Sequence, residues 1–169
     1  MKIRIQPRDE KILKFIFACR VASVQQVLHR HFQGRHRSIG YERLNCLIDA
    51  GLIRRHATMV NGNVTAYLLP LPKCWEVIGK RWPFEVDRPH FKSESSEHDI
   101  RVAEIIMRLE KLKVFRSFFT ENLLQSSSAL ADDPTFGDLS RIQSDGALTI
   151  TGQNGEPEVY AFELEISKK

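Results

Sequence analysis

Residues 38–62 read SIGYERLNCLIDAGLIRRHATMVNG. Over residues 38–50, Tyr41, Leu44, Leu47 and Ile48 recur at helical spacing and predict one apolar face. The outward side would carry Gly40, Glu42, Arg43, Asn45 and Asp49. Gly51 is placed to end the helix, because the residue past the last turn often takes a positive φ that glycine adopts without strain, and Leu52 can then fold back on that turn. The period then changes. Residues 53–60 and 64–69 read as strands, and Asn61-Gly62 between them is a strong hairpin signal, since a type I′ turn needs positive φ at both central positions.

Upstream, residues 9–20 (DEKILKFIFACR) carry Ile12, Leu13, Ile16, Phe17 and Cys19 in a wide helical stripe, with Asp9 and Glu10 at its start, where negative charge suits the helix dipole. Ser23 and Gln26 have capping-box spacing ahead of Val24, Val27, Leu28 and His31, and Gln33-Gly34 breaks that helix. Three short helices followed by a hairpin is the winged helix-turn-helix order, here over residues 1–70. The segment IDAGLIRR resembles the close of the recognition helix in bacterial winged-helix proteins. That order predicts a double-stranded DNA partner, with the third helix entering the major groove N-terminal end first. Arg37, Arg43 and Asn45 are the candidates for base edges, since arginine and asparagine bond guanine and adenine bidentately, and Ser38 beside them is a further DNA-binding candidate. Arg35, Arg54, Arg55, Asn61 and Asn63 are the candidates for phosphates. A homodimer is expected from the two-fold symmetry of many bacterial DNA sites.

Charge supports a division of labour. Residues 1–92 hold 17 Lys and Arg against 7 Asp and Glu, a net of +10, whereas residues 93–169 hold 8 against 14, a net of −6. The first part suits a polyanion; the second suits a metal ion or repels nucleic acid. No apolar run approaches the ~20 residues of a membrane span, and MKIRIQPRDEK has no apolar stretch after its charges, so a cytoplasmic protein is expected. Cys19, Cys46 and Cys74 are odd in number, sit singly, and fit neither a zinc site nor a disulfide framework. His29, His31, His36 and His56 lack a cysteine or carboxylate at ligand spacing. No Gly-rich phosphate loop and no Ser/His/Asp or Cys/His constellation is present.

Residues 71–95 read as a connector, with three prolines, a short helix over 72–80 whose Trp75 and Ile78 pack back, and Trp82 and Phe84 free to dock. In residues 96–169 the order is α-β-β-β. A helix over 97–113 buries Val102, Ile105, Ile106, Leu109 and Leu112; strands follow over 114–120, 141–150 and 158–166, with a long polar loop over 121–140. Asp145 lies in the second strand. Glu163 and Glu165 lie in the third, on one face by alternation. Three converging carboxylates would repel one another unless a cation offset them, and hard oxygen ligands suit Mg²⁺ or Mn²⁺. Asp145 and Glu163 are the candidate metal ligands.

Asp145-Gly146 followed by Glu163-Leu164-Glu165 resembles the first half of the PD-(D/E)xK, or restriction-endonuclease-like, fold. With the winged-helix order and the SEHDIRVAEI segment at its helix, the chain is similar to the replication-relaxation proteins of plasmids and mobile elements. That resemblance implies a DNA-binding module fused to a nuclease-like α+β domain, with a role in replication, relaxation, transfer or transcription control. Two departures point to a degenerate domain. Ser144 stands where the nuclease motif has proline, and Glu165 where active nucleases have lysine; Lys168 is a migrated substitute on the opposite face. The chain stops at the third strand, where the fold adds a helix and a further strand. Either a longer protein continues it or a protein partner covers the sheet edge. The leading expectation is therefore sequence-selective DNA binding without cleavage. The alternatives are an Mg-dependent DNA endonuclease using Asp145, Glu163, Glu165 and Lys168, and a repressor with an effector-binding second domain.

Overall fold

A computed structural model describes residues 3–60, 62–79, 85–87, 89, 91, 93 and 95–165. The protein is α+β, with eight helices and two small antiparallel sheets among these residues. It divides into two units: residues 1–81 with 91–103, and residues 82–90 with 104–169. This division differs from the expected boundaries, because the helix after the hairpin and the start of the next long helix both belong to the first unit. No helix among the described residues is long and apolar enough to cross a membrane.

The first unit runs α1 (Pro7–Ala18), β1 (Ala22–Ser23), α2 (Val24–His31), α3 (Arg37–Asp49), β2 (Ile53–Val60), β3 (Asn63–Pro70) and α4 (Pro72–Ile78), then the opening of α5 (Ser96–Leu109). Capping fixes the entry to α2. The Ser23 hydroxyl accepts the Gln26 N–H at 3.0 Å, and the Gln26 side chain takes the Ser23 N–H at 2.7 Å. Gln26 Nε2 also donates to the Ile100 carbonyl at 2.7 Å, which ties α5 to α2. Gly51 ends α3 at φ +72°; its N–H bonds the Ile48 carbonyl while Leu52 N–H bonds Leu47, the two reverse bonds of a Schellman motif.

The hairpin pairs Ile53 with Pro70 through to Val60 with Asn63, and Gly62 at its turn has φ +77°; Asn61 lies outside the described residues. The two-residue β1 pairs Ala22 with Leu68, giving the order β1-β3-β2. Ile12, Leu13, Ile16, Phe17, Leu44, Leu47, Leu68 and Ile78 are fully buried. Each such side chain contributes roughly 1.5–3 kcal/mol of hydrophobic stabilisation. Trp75 of α4 packs on Phe17 with ring centroids 5.0 Å apart, so α4 is part of this core. Trp82 and Phe84 lie outside the described residues.

Gly40 is buried, not outward as its spacing suggests. A Cβ there would meet Leu28 Cδ2 at 2.3 Å and Phe32 Cγ at 3.3 Å. Alanine ordinarily gains about 1 kcal/mol over glycine inside a helix. Here the added methyl requires the Leu28 side chain to shift between α2 and α3, and overpacking of about 1–3 kcal/mol offsets that gain.

The second unit holds β4 (Phe115–Thr120), α6 (Glu121–Ser126), α7 (Ser128–Ala131), α8 (Gly137–Arg141), β5 (Gly146–Thr151) and β6 (Pro157–Phe162), with the sheet order β4-β5-β6. The expected loop over 121–140 is instead three short helices. Thr120 Oγ1 caps α6 by accepting Leu123 N–H at 3.4 Å, and Ser127 Oγ caps α7 by accepting Leu130 N–H at 3.3 Å. They carry Leu124 and Leu130 onto Ala147 in a small core with Phe119, Phe136, Leu139 and Val159. Leu112, expected on the inner face of α5, lies beyond that helix and is exposed.

Candidate functional site

The basic candidates of the first unit fall into three places. Arg35 and Arg37 are exposed, one in the turn before α3 and one at its first residue. Together with His29 and Gln33 they line a groove of about 310 Å³ beside α2. His36 caps α3: its Nδ1 accepts the Ser38 N–H at 3.4 Å and lies 2.8 Å from the Ser38 hydroxyl. Sequence reasoning missed this cap, since histidine is not among the usual capping residues.

Along α3 the exposed side presents Ser38, Glu42, Asn45, Cys46 and Asp49. Asn45 Oδ1 accepts a hydrogen bond of 3.2 Å from Arg55 Nη2, which links β2 to this side of the helix. Asn63 is exposed at the start of β3. The middle of the helix face is thus polar and acidic, with cations at its start and on the adjoining strand.

Arg43 is the first correction. It points back toward α1, where its Nε donates to Asp9 Oδ1 at 2.8 Å and its Nη2 to the Arg4 carbonyl at 2.8 Å and to Asp9 Oδ2. Asp9 is fully buried. The hydrogen bond to Asp9 holds the Arg43 guanidinium further toward its charged form. An arginine whose donors serve a buried carboxylate is not available to a base edge, so Arg43 drops out of the candidates for base contact.

Arg54 is the second. Strand alternation puts neighbours on opposite faces. Arg55 pairs with Leu68, which is fully buried, while Arg54 pairs with Leu69 on the other face. The two arginines therefore do not serve one surface, and only Arg55 joins the exposed side of α3.

In the second unit the three carboxylates do not gather. β6 ends at Phe162, so Glu163 and Glu165 lie past the strand, and both are exposed. Asp145 sits just before β5, and its Oδ2 accepts the Leu164 N–H at 2.6 Å. That carboxylate takes an amide at the strand end. Among the described residues no three His, Cys, Asp or Glu side chains are grouped so as to hold a metal ion. Lys168 lies outside the described residues. Ser144 is fully buried, and its hydroxyl lies 2.9 Å from the Phe162 carbonyl and 3.0 Å from that of Gly146, pinning the start of β5 to the end of β6. A Cβ on Gly146 would meet the Phe118 ring at 2.4 Å and the Phe119 carbonyl at 2.8 Å. Packing accounts for the glycine at 146, and the Leu164 amide for the use of the Asp145 carboxylate.

The cysteines offer a probe of α3. Cys46 is exposed on it, whereas Cys19 and Cys74 are buried, and burial pushes the Cys74 thiol up to about 12. A thiol-disulfide dye should titrate one rapid thiol in the native protein and three in denaturant. More than one rapid thiol would contradict this packing.

No protein-family model, no curated protein and no solved structure matches the chain.

Proposed function

We propose that the protein is a sequence-selective binder of double-stranded DNA, with the first unit acting as a winged helix-turn-helix. In this reading α3 enters the major groove and the β2–β3 hairpin is the wing. The observation that carries it is the Arg55–Asn45 hydrogen bond, which sets the strand cation against the exposed polar side of α3, with Arg35 and Arg37 exposed at the same helix's start. Arg35, Arg37 and Arg55 contact phosphates, which orient the module without reading sequence. Asn45 and Glu42 have the chemistry for base edges: asparagine for adenine N6 and N7, glutamate for cytosine N4. The strongly basic balance of residues 1–92 favours such a partner. The resemblance to replication-relaxation proteins supports a role on a plasmid or mobile element.

Replacing Arg35, Arg37 and Arg55 together by alanine tests this. Each phosphate contact contributes about 0.9 to the slope of log K against log salt. Three lost contacts should lower that slope by about 2–3 and weaken duplex binding roughly 100-fold near physiological salt. Fluorescence anisotropy on duplexes selected from a random pool measures both. Unchanged affinity and slope in a folded triple variant would remove the proposal. Duplex that leaves the Cys46 thiol as reactive as before would remove α3 from the interface.

A further inference from the structure

The face of the hairpin that carries Arg54 is occupied by a cavity. Arg54, His56, Tyr67 and Leu69 share that face by register, with the His56 and Tyr67 rings stacked at 5.8 Å. Phe91, Ser93 and Ser96 come up beside it, and the space between is about 320 Å³. This is the lower end of the range for small-molecule sites.

The lining is chemically uneven. Leu69, Leu71, Phe91 and the neighbouring prolines make the walls apolar, and Arg54 brings the cation at their edge. Arg54 is exposed and makes no hydrogen bond or ion pair among the described residues. The Ser93 hydroxyl is shut off from solvent and has no partner among them. A desolvated hydroxyl without a partner is a rare state in a folded protein, and an acceptor supplied by a ligand would relieve it. A guanidinium fork matches a carboxylate through two parallel hydrogen bonds. One cation beside apolar walls suits a singly charged acid with a compact hydrocarbon body better than phosphate, which calls for more donors.

We infer that this cavity is a binding site for a small organic monocarboxylate, its carboxylate on Arg54 and Ser93 and its apolar body against Phe91 and Leu69. The site stands on the opposite side of the strand pair from Arg55, so it does not depend on the DNA reading.

The test uses the whole chain without DNA. 4-Phenylbutyrate is titrated while amide NMR shifts are followed, with 4-phenylbutanamide and inorganic phosphate in parallel. Saturable shifts should concentrate at residues 67–72 and 93–96. The amide should bind at least ten-fold more weakly than the acid, and Arg54→Met should weaken the acid by a similar factor. The Arg54 side chain is exposed, so the variant should melt with the wild type. If it does not, the acid–amide contrast on the wild-type protein decides alone. Equal binding of acid and amide, the same shifts from phosphate alone, or no localised shifts would each overturn the assignment.

Discussion

Arg43→Ala should destabilise the protein by about 3 kcal/mol and leave the proposed duplex binding of the folded protein unchanged. Removing one partner of a buried ion pair costs about 3–5 kcal/mol, because the other charge stays desolvated and unpaired. Asp9 is fully buried and the Arg43 side chain is 20% exposed, so the lower end applies. The pair is also a junction. Asp9 Oδ2 accepts the Gln6 N–H at 2.7 Å, and Arg43 reaches the Arg4 carbonyl, so one ion pair joins the N-terminal segment, α1 and α3. A urea titration should show the loss directly, and the melting temperature should fall by roughly 10 °C. Asp9→Ala with Arg43→Ala together should be less destabilising than the two single losses added, since no charge is then stranded. A loss under about 1 kcal/mol in Arg43→Ala would mean that Asp9 is solvated or repaired by another cation. A large drop in DNA affinity of the folded variant would return Arg43 to the interface.

That correction shows what a local reading of the sequence can carry. The helix of 38–50, its glycine stop and the hairpin after it were legible because each is specified within a few residues: an apolar period, a residue that tolerates positive φ, and a two-residue turn. The fate of Arg43 was not, because its partner lies 34 residues upstream and nothing in an exposed-face count brings Asp9 to it. The two-residue β1 escaped for the same reason, since it exists only by pairing with β3. Arg54 and Arg55 are a mixed case. Their separation is implied by alternation alone, but which faces the helix depends on Leu68 being the buried partner of Arg55.

The second unit marks the other limit. Alternation correctly gives positions 163 and 165 one parity, yet it cannot say that the strand persists so far. Here β6 stops at Phe162, and the Leu164 amide bonds the Asp145 side chain. The stretch over 121–140 read as a loop because helices of four to six residues are too short to display a period, whereas their caps, Thr120 and Ser127, are ordinary loop residues. Asp-Gly and Glu-x-Glu are signals of residue type. Buried Ser144 and the crowded Gly146 show that the neighbourhood is organised by packing and backbone pairing.

His31 should make the protein acid-sensitive in a definite window. Its ring packs edge-on against Phe15 with centroids 5.8 Å apart, and its Nε2 is buried with no hydrogen-bond partner among the described residues. Burial first, and then the positive charges of Arg30, Lys11 and Arg8, lower its pKa to about 4 from the ordinary 6.5. The folded protein therefore holds the neutral ring, while the unfolded chain takes up a proton as pH falls through 6.5. Stability from this source is fully present above 6.5, declines as pH drops, and is lost by about pH 4. A shift of this size corresponds to about 3 kcal/mol at most. Urea midpoints measured between pH 7 and pH 4 should fall in the wild type. They should fall by correspondingly less in His31→Phe and His31→Gln, which cannot titrate. Carboxylates titrating at the lower end affect all three proteins alike, so the difference between the curves isolates the histidine. Parallel curves for wild type and both variants would show that the ring is reached by water or charged in the fold, and that α2 is packed more loosely on α1 than these contacts require.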